Sequence, residues 1–146
     1  MTHGPSLTHP PGAAGFLLDT HALQWWWCSP RLLSEPVLEV LRDPAQRVVV
    51  SAASWFELAE AHRAGQLPGL EIALERFPQL LEADGLGYLP VWPNHLQRAG
   101  RAAHSQVDPG TVDRVDALLV AQAELENLLL ISVDAGLIQL GARLFW

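Results

Sequence analysis

Four carboxylates stand where chemistry can be built in this chain: Asp19, Glu57, Asp116 and Asp134. Asp19 and Asp134 each close a short apolar run, Phe16-Leu-Leu and Leu128-Leu-Leu-Ile-Ser-Val133. Apolar runs bounded by turn-forming residues read as strands buried on both faces of a parallel sheet. In such sheets ligands bind outside the carboxyl ends of the strands. Glu57 lies on the segment that follows a second β-branched run, Arg47-Val-Val-Val-Ser51, and Asp116 falls in the first turns of a long helical pattern, with Asp113 one turn earlier on the same face.

Like charges gathered at one sheet edge are unfavourable without compensation, and a divalent cation supplies it. Oxygen donors with no thiolate set and no convincing histidine pair suit Mg²⁺ or Mn²⁺ better than zinc. The chemistry that fits is hydrolysis of a phosphodiester, in which one or two ions generate hydroxide and neutralise the developing charge. Each acid also has a plainer reading. An aspartate after a strand is a common helix cap; Asp134 would suit the short helix that follows it, and Asp113 the positive end of its own helix. Thr20 is expected to cap the first helix in place of Asp19. Glu57 is harder to explain away, because beside Trp55 and Phe56 on an apolar segment a glutamate without a partner is costly. His21 and His104 are the histidines expected near these elements, His21 as a local hydrogen-bonder.

The elements that must position these acids alternate strand and helix. After Asp19, a helix runs from Thr20 through Trp25-Trp26-Trp27 to Pro30, and three adjacent tryptophans point in different directions, so at most two can be core. Ser34 to Arg42 is an N-capped helix with proline in its first turn. Strand 47–51 leads into a helix over Ala52 to Ala64 with Gly65 as its C-cap. Leu70 to Ala83 is an amphipathic helix interrupted or bent at Pro78. Gly85 to Val91 is a third strand whose proline suits an edge. Asn94 caps a helix to about Ala103, His104 to Gly110 is a loop, and Thr111 to Glu126 is a long helix. Gly136 to Leu140 is a short helix, and Ala142 to Trp146 a last strand. Parallel crossovers predict helices on both faces of the sheet.

With 146 residues, 49% of them hydrophobic, the chain has the size of one domain and enough apolar content for a core. Its net charge of -7 argues against a broad basic face that coats nucleic acid. All nine basic residues are arginines, so a phosphate loop that needs a lysine is excluded. Receiver domains and haloacid-dehalogenase phosphatases also place an aspartate after a first strand, and both rely on the lysine this chain lacks. Cys28 is the single cysteine and reads as a small hydrophobe, leaving neither a disulfide framework nor a thiolate zinc site. Met1 to Gly15 lacks the charge and apolar pattern of a signal peptide and reads as a flexible leader on a cytoplasmic protein. No apolar run reaches the length of a membrane span.

Three stretches in order, Phe16-Leu-Leu-Asp-Thr-His-Ala-Leu-Gln-Trp25, Ser51-Ala-Ala-Ser-Trp-Phe-Glu-Leu-Ala59 and Val112-Asp-Arg-Val-Asp-Ala-Leu-Leu-Val-Ala-Gln-Ala123, resemble the PIN-domain ribonucleases. More narrowly they resemble the VapC-type toxins of bacterial toxin–antitoxin pairs. The resemblance covers Phe16 to Trp146 and implies a PIN domain over 16–146, with residues 1–15 as leader. It implies a three-layer α/β/α fold with a central parallel sheet and an Mg²⁺- or Mn²⁺-dependent endoribonuclease site. In that site Asp19, Glu57, Asp116 and Asp134 would be the metal-binding, catalytic acids, with Asp113 more peripheral and Thr20 beside them. It further implies a cognate antitoxin and a homodimer. Where the family commonly has His-Arg before Asp113 and Pro-Phe after it, this chain has Thr111-Val112 and Arg114-Val115. Where it commonly carries lysines after the glutamate, Ala61 and Gln66 stand, and Arg63 remains. Arg63, Arg98, Arg101 and Arg114 are the candidates for phosphate contacts. The thinned basic charge keeps open a PIN-like module that binds a partner and cleaves nothing; a DNA nuclease of the same fold is a third reading.

Overall fold

Three runs with almost no polar side chain, Phe16-Leu-Leu18, Val48-Val-Val50 and Leu128-Leu-Leu-Ile131, cannot face water on either side, and all are buried. They form the centre of a sheet, as two-sided burial requires of parallel strands. A computed structural model describes residues 12–102 and 113–146. Its elements are β1 (Gly15–Leu18), α1 (Thr20–Cys28), α2 (Glu35–Arg42), β2 (Val48–Ser51), α3 (Ala52–Arg63), α4 (Glu71–Glu75) and α5 (Phe77–Ala83). They continue with β3 (Gly87–Leu89), α6 (Pro93–Ala102), α7 (Arg114–Leu125), β4 (Leu128–Ile131) and β5 (Leu144–Phe145), with 3-10 turns at Pro30–Leu32 and Ala135–Leu140.

The strand order is β3-β2-β1-β4-β5 and every pairing is parallel. Leu17 is opposite Val49 on one side and Leu130 on the other. Because side chains alternate along a strand, one face of the sheet collects Phe16, Leu18, Val50, Leu129 and Ile131 under α1, α2 and α5. The other collects Leu17, Val49, Leu128 and Leu130 under Leu119, Val120 and Ala123 of α7. The result is the expected three-layer α/β/α arrangement. Burying each such leucine or isoleucine stabilises the fold by roughly 1.5–3 kcal/mol, so the two cores hold β1 firmly from both sides.

Several boundaries differ from the sequence expectation for local reasons. The segment 70–83 is two helices, broken at Arg76, two residues before Pro78; the proline has no N–H to continue the first helix and sits instead in the first turn of the second, where that N–H would go unpaired anyway. Strand β3 is an edge strand as expected, but it stops at Leu89 and Pro90 lies beyond it. Asn94 does not cap α6, which begins at Pro93. Asn94 Oδ1 accepts from its neighbour His95 N–H at 3.0 Å, and His95 Nδ1 accepts from Trp92 N–H at 3.0 Å. His95 is buried between α6 and α7, where Gln122 Nε2 donates to Pro90 O at 3.1 Å. None of the three adjacent tryptophans is fully exposed: all pack half-buried against the core. Trp25 meets Trp146 edge-on at 5.8 Å, and Trp27 meets Phe77 at 5.6 Å and donates through Nε1 to Asp84.

The leader expected over residues 1–15 lies outside the described residues as far as Pro11. From Gly12 the backbone is tied to Asn127, whose side chain donates to Gly12 O and whose carbonyl accepts from Ala14 N–H. The loop expected over His104 to Gly110, and Thr111 and Val112, also lie outside the described residues. No helix among the described residues is long and apolar enough to cross a membrane.

Candidate active site

The strand order reverses direction between β1 and β4, the place where open parallel sheets leave a crevice at their carboxyl ends. Asp19 follows β1, Asp134 follows β4, Glu57 sits on α3 after β2, and Asp116 lies in the first turn of α7. These four line one cleft of about 90 Å³, together with Thr20, His21 and Asp113. The sheet therefore brings together all four acids that the sequence singled out. Among the described residues no arginine lines the cleft.

Three of the acids are also caps. Asp19 Oδ1 accepts from Ala22 N–H at 2.7 Å, Asp113 Oδ1 from Val115 and Asp116 N–H at 2.8 and 3.1 Å, and Asp134 Oδ1 from Gly136 N–H at 2.9 Å. Each thereby satisfies N–H groups that a helix start leaves unpaired. The expectation that Thr20 caps α1 is corrected: Asp19 does so, and Thr20 is the first helical residue. The buried hydroxyls of Thr20 and Ser54 share a hydrogen bond at 3.0 Å, and Thr20 also reaches Glu57. Asp113 is the cap of α7, and the helix expected from Thr111 starts at Arg114.

The electrostatics of the cleft follow from burial and repulsion. Asp116 is pushed up to about 7, first by desolvation and then by the charges of Asp113, Glu57, Asp134 and Asp19. Desolvation raises Asp19 too, opposed by hydrogen bonds from Ser132 and Ala22 N–H and by His21. Glu57 is raised mainly by desolvation, against a hydrogen bond from Thr20. Acids shifted by burial and by one another in a cleft make it the candidate functional site.

Ser132 and Ser54 were not picked out from the sequence. Ser132 is buried at the end of β4, bonds Asp19 and accepts Asp134 N–H at 3.1 Å. Its signal was available: a lone hydroxyl closing the apolar run just before an acid. Among the arginines, Arg98 is committed to Glu124 at 2.9 Å, whereas Arg63, Arg101 and Arg114 are exposed.

The donor set fits a divalent cation in chemistry: oxygen ligands only, surplus negative charge, and a volume of the order of a few waters at roughly 30 Å³ each. Among the described residues, no group of three or more acidic, histidine or cysteine side chains is already spaced to hold one ion. Closing round an ion therefore requires side-chain rotation, which is open to Glu57 and Asp116, since neither caps a helix.

The sequence profile of the PIN domain matches residues 16–142. The chain belongs to the PIN domain family. Two solved structures share the PIN fold seen here. A chain of a toxin-antitoxin complex from Klebsiella pneumoniae is 19% identical, with a TM-score of 0.55 over 82% of this chain and 87% of that one. A chain of FitAB bound to an IR36 DNA fragment is 20% identical, with a TM-score of 0.57 over 89% and 93%. Among curated proteins none matches this chain by sequence.

Proposed function

We propose that this PIN domain is a metal-dependent endoribonuclease of the VapC toxin type, held in check by a cognate antitoxin. The observation that carries the reading is the convergence of Asp19, Glu57, Asp113, Asp116 and Asp134 on one small cleft, where His21 is the one basic side chain among the described residues. Asp19, Glu57, Asp116 and Asp134 would hold Mg²⁺ or Mn²⁺, one ion or two. When bound, the metal supplies a hydroxide at neutral pH and stabilises charge on the phosphate. Ser132 and Thr20 hydrogen-bond the carboxylates of Asp19 and Glu57 and so oppose the upward pull of burial on each. Asp113 starts the helix that presents Asp116. Arg63 and Arg114, exposed near the acids in sequence, are proposed phosphate contacts.

Family membership supports a phosphodiester hydrolase, and the likeness to chains from toxin–antitoxin structures supports an antitoxin partner; a homodimer is a further part of the proposal. A cytoplasmic location belongs to the same proposal. Ala61 and Gln66, where the family commonly has lysines, favour a second reading, a PIN module that binds a partner without cleaving. Incubating purified protein with a structured RNA and Mn²⁺ separates the two. The nuclease reading expects cleavage that EDTA abolishes and that Asp116→Asn reduces at least a hundredfold. EDTA-insensitive cleavage, or none at all, would overturn it, and preference for a DNA hairpin in a parallel reaction would make the protein a DNA nuclease.

A further inference from the structure

A second cleft, of about 450 Å³, opens from the acidic one and shares Thr20, His21 and Glu57 with it. Its volume is that of sites that hold small organic groups, about 300–1,000 Å³, where the acidic cleft has room only for an ion and its waters. Its far wall is built differently. The ring of Trp25 stands 6.3 Å from that of His21 at 39°, and the two amides of Gln24 and Gln66 line the same space. Trp25 is fixed from behind by the edge of Trp146 at 5.8 Å, so its indole is held in place before anything binds. Neither glutamine side chain hydrogen-bonds another described residue. Among the described residues no arginine lines the cleft, and its one acidic side chain is Glu57, at the end shared with the acids.

These features select for a flat, neutral, hydrogen-bonding group and against a phosphate. An aromatic face supports a base of any identity, and a side-chain amide, with a donor pair and an acceptor, can read a base edge. We propose that this cleft is the subsite for one unstacked nucleobase of a single-stranded RNA, lying against Trp25 and His21 and read by Gln24 and Gln66. The base would sit next to the scissile phosphodiester, because the two clefts meet at Thr20, His21 and Glu57. The inference rests on the nuclease reading for its placement beside the cut, and it makes cleavage preference a property of α1 and of the turn after α3.

The test has two arms so that the two readings fail separately. In the first, fluorescein-labelled heptaribonucleotides that carry A, C, G or U at the centre of an abasic background, and a fully abasic control, are titrated against the full-length protein in Ca²⁺ by anisotropy. The expected result is a spread of at least fivefold in Kd among the four bases. That spread should collapse in Gln24→Ala and Gln66→Ala, and Trp25→Leu should weaken all four about tenfold, the scale of one lost base–aromatic stack. In the second arm, a randomised RNA is cleaved in Mn²⁺ and the ends are sequenced. The base bias beside the cut should flatten by at least fivefold in the glutamine variants. Thermal unfolding of each variant checks that it is folded, and Gln66→Glu, on an exposed side chain, serves where Gln66→Ala is not. The proposal is overturned if the abasic control binds as tightly as the four bases, as a cleft made for a peptide side chain would give, or if the cleavage bias survives in the variants. Absence of cleavage with a base-dependent Kd would overturn the nuclease reading alone.

Discussion

Asp113 caps the helix that carries Asp116: its Oδ1 accepts the Asp116 backbone N–H at 3.1 Å while its charge raises the Asp116 side chain. One residue thus orders its neighbour and perturbs it, and the two effects are separable by substitution. Asn caps helices as well as Asp does. Asp113→Asn should therefore keep the melting temperature within a few degrees and lower the Asp116 pKa from about 7. Asp113→Ala should lower it too but lose about 0.5–2 kcal/mol of stability with the cap. Carboxyl NMR titration read beside chemical denaturation checks both; an Asp116 pKa unmoved in Asp113→Asn would refute the coupling.

Folding stability in EDTA should fall as pH rises toward 8. Asp116, Asp19 and Glu57 all have folded pKa values raised above those of the unfolded chain. Between pH about 4 and about 7 the folded protein therefore binds more protons than the unfolded one, so stability decreases with pH across that window. The contribution is fully present below the unfolded pKa and is lost as the pH passes the folded one. Melting temperatures at pH 5.5 and 8.0 should differ in that sense, and Asp116→Asn should narrow the difference. Mn²⁺ should raise the melting temperature more at pH 8.0 than at pH 5.5, because it competes with protons for the same oxygens.

Thr20→Val and Ser132→Ala should push Glu57 and Asp19 respectively to higher pKa, since each removes a hydrogen bond to the carboxylate. Each also leaves a buried partner short, Ser54 in the first case and the Asp134 N–H in the second. The expected cost is about 1–3 kcal/mol. In the cleavage assay, the acid limb of the pH profile should move to higher pH in both variants. A profile that stays in place would show that neither hydroxyl tunes its acid.

Gly15→Ala should destabilise the fold by about 1–3 kcal/mol or more. Gly15 has φ of +151°, and a Cβ there would lie 2.6 Å from the carbonyl oxygen of Arg47, which already accepts Phe16 N–H at 2.8 Å. The strain falls at the start of β1, the strand that delivers Asp19. Urea unfolding measures the loss.

Much of this was legible because the residues that decide it are local. Val48-Val-Val50 and Leu128-Leu-Leu-Ile131 have no polar face, which forces burial on both sides and hence a parallel sheet with acids at its mouth. The strand order is set by long-range packing that alternation along a single strand does not encode. Whether Asp19 or Thr20 caps α1 turns on one rotamer each, and Thr20 is drawn away by Ser54, 34 residues later. His95 stands in a polar segment and is fully buried, because Gln122, from another element, and the Trp92 N–H give its ring polar neighbours that the local sequence does not reveal.

The caps at Asp19, Asp113 and Asp134 bear on how such a chain would drift if cleavage ceased to matter to its host. Selection for folding alone would go on favouring an aspartate or its nearest substitutes at those three sites. A silent descendant would keep most of the appearance of a nuclease. Glu57 and Asp116 begin no helix, and a carboxylate there, half-buried among like charges, is a burden on the folded state. If the nuclease proposal holds, those are the two positions that would change first once cleavage was lost.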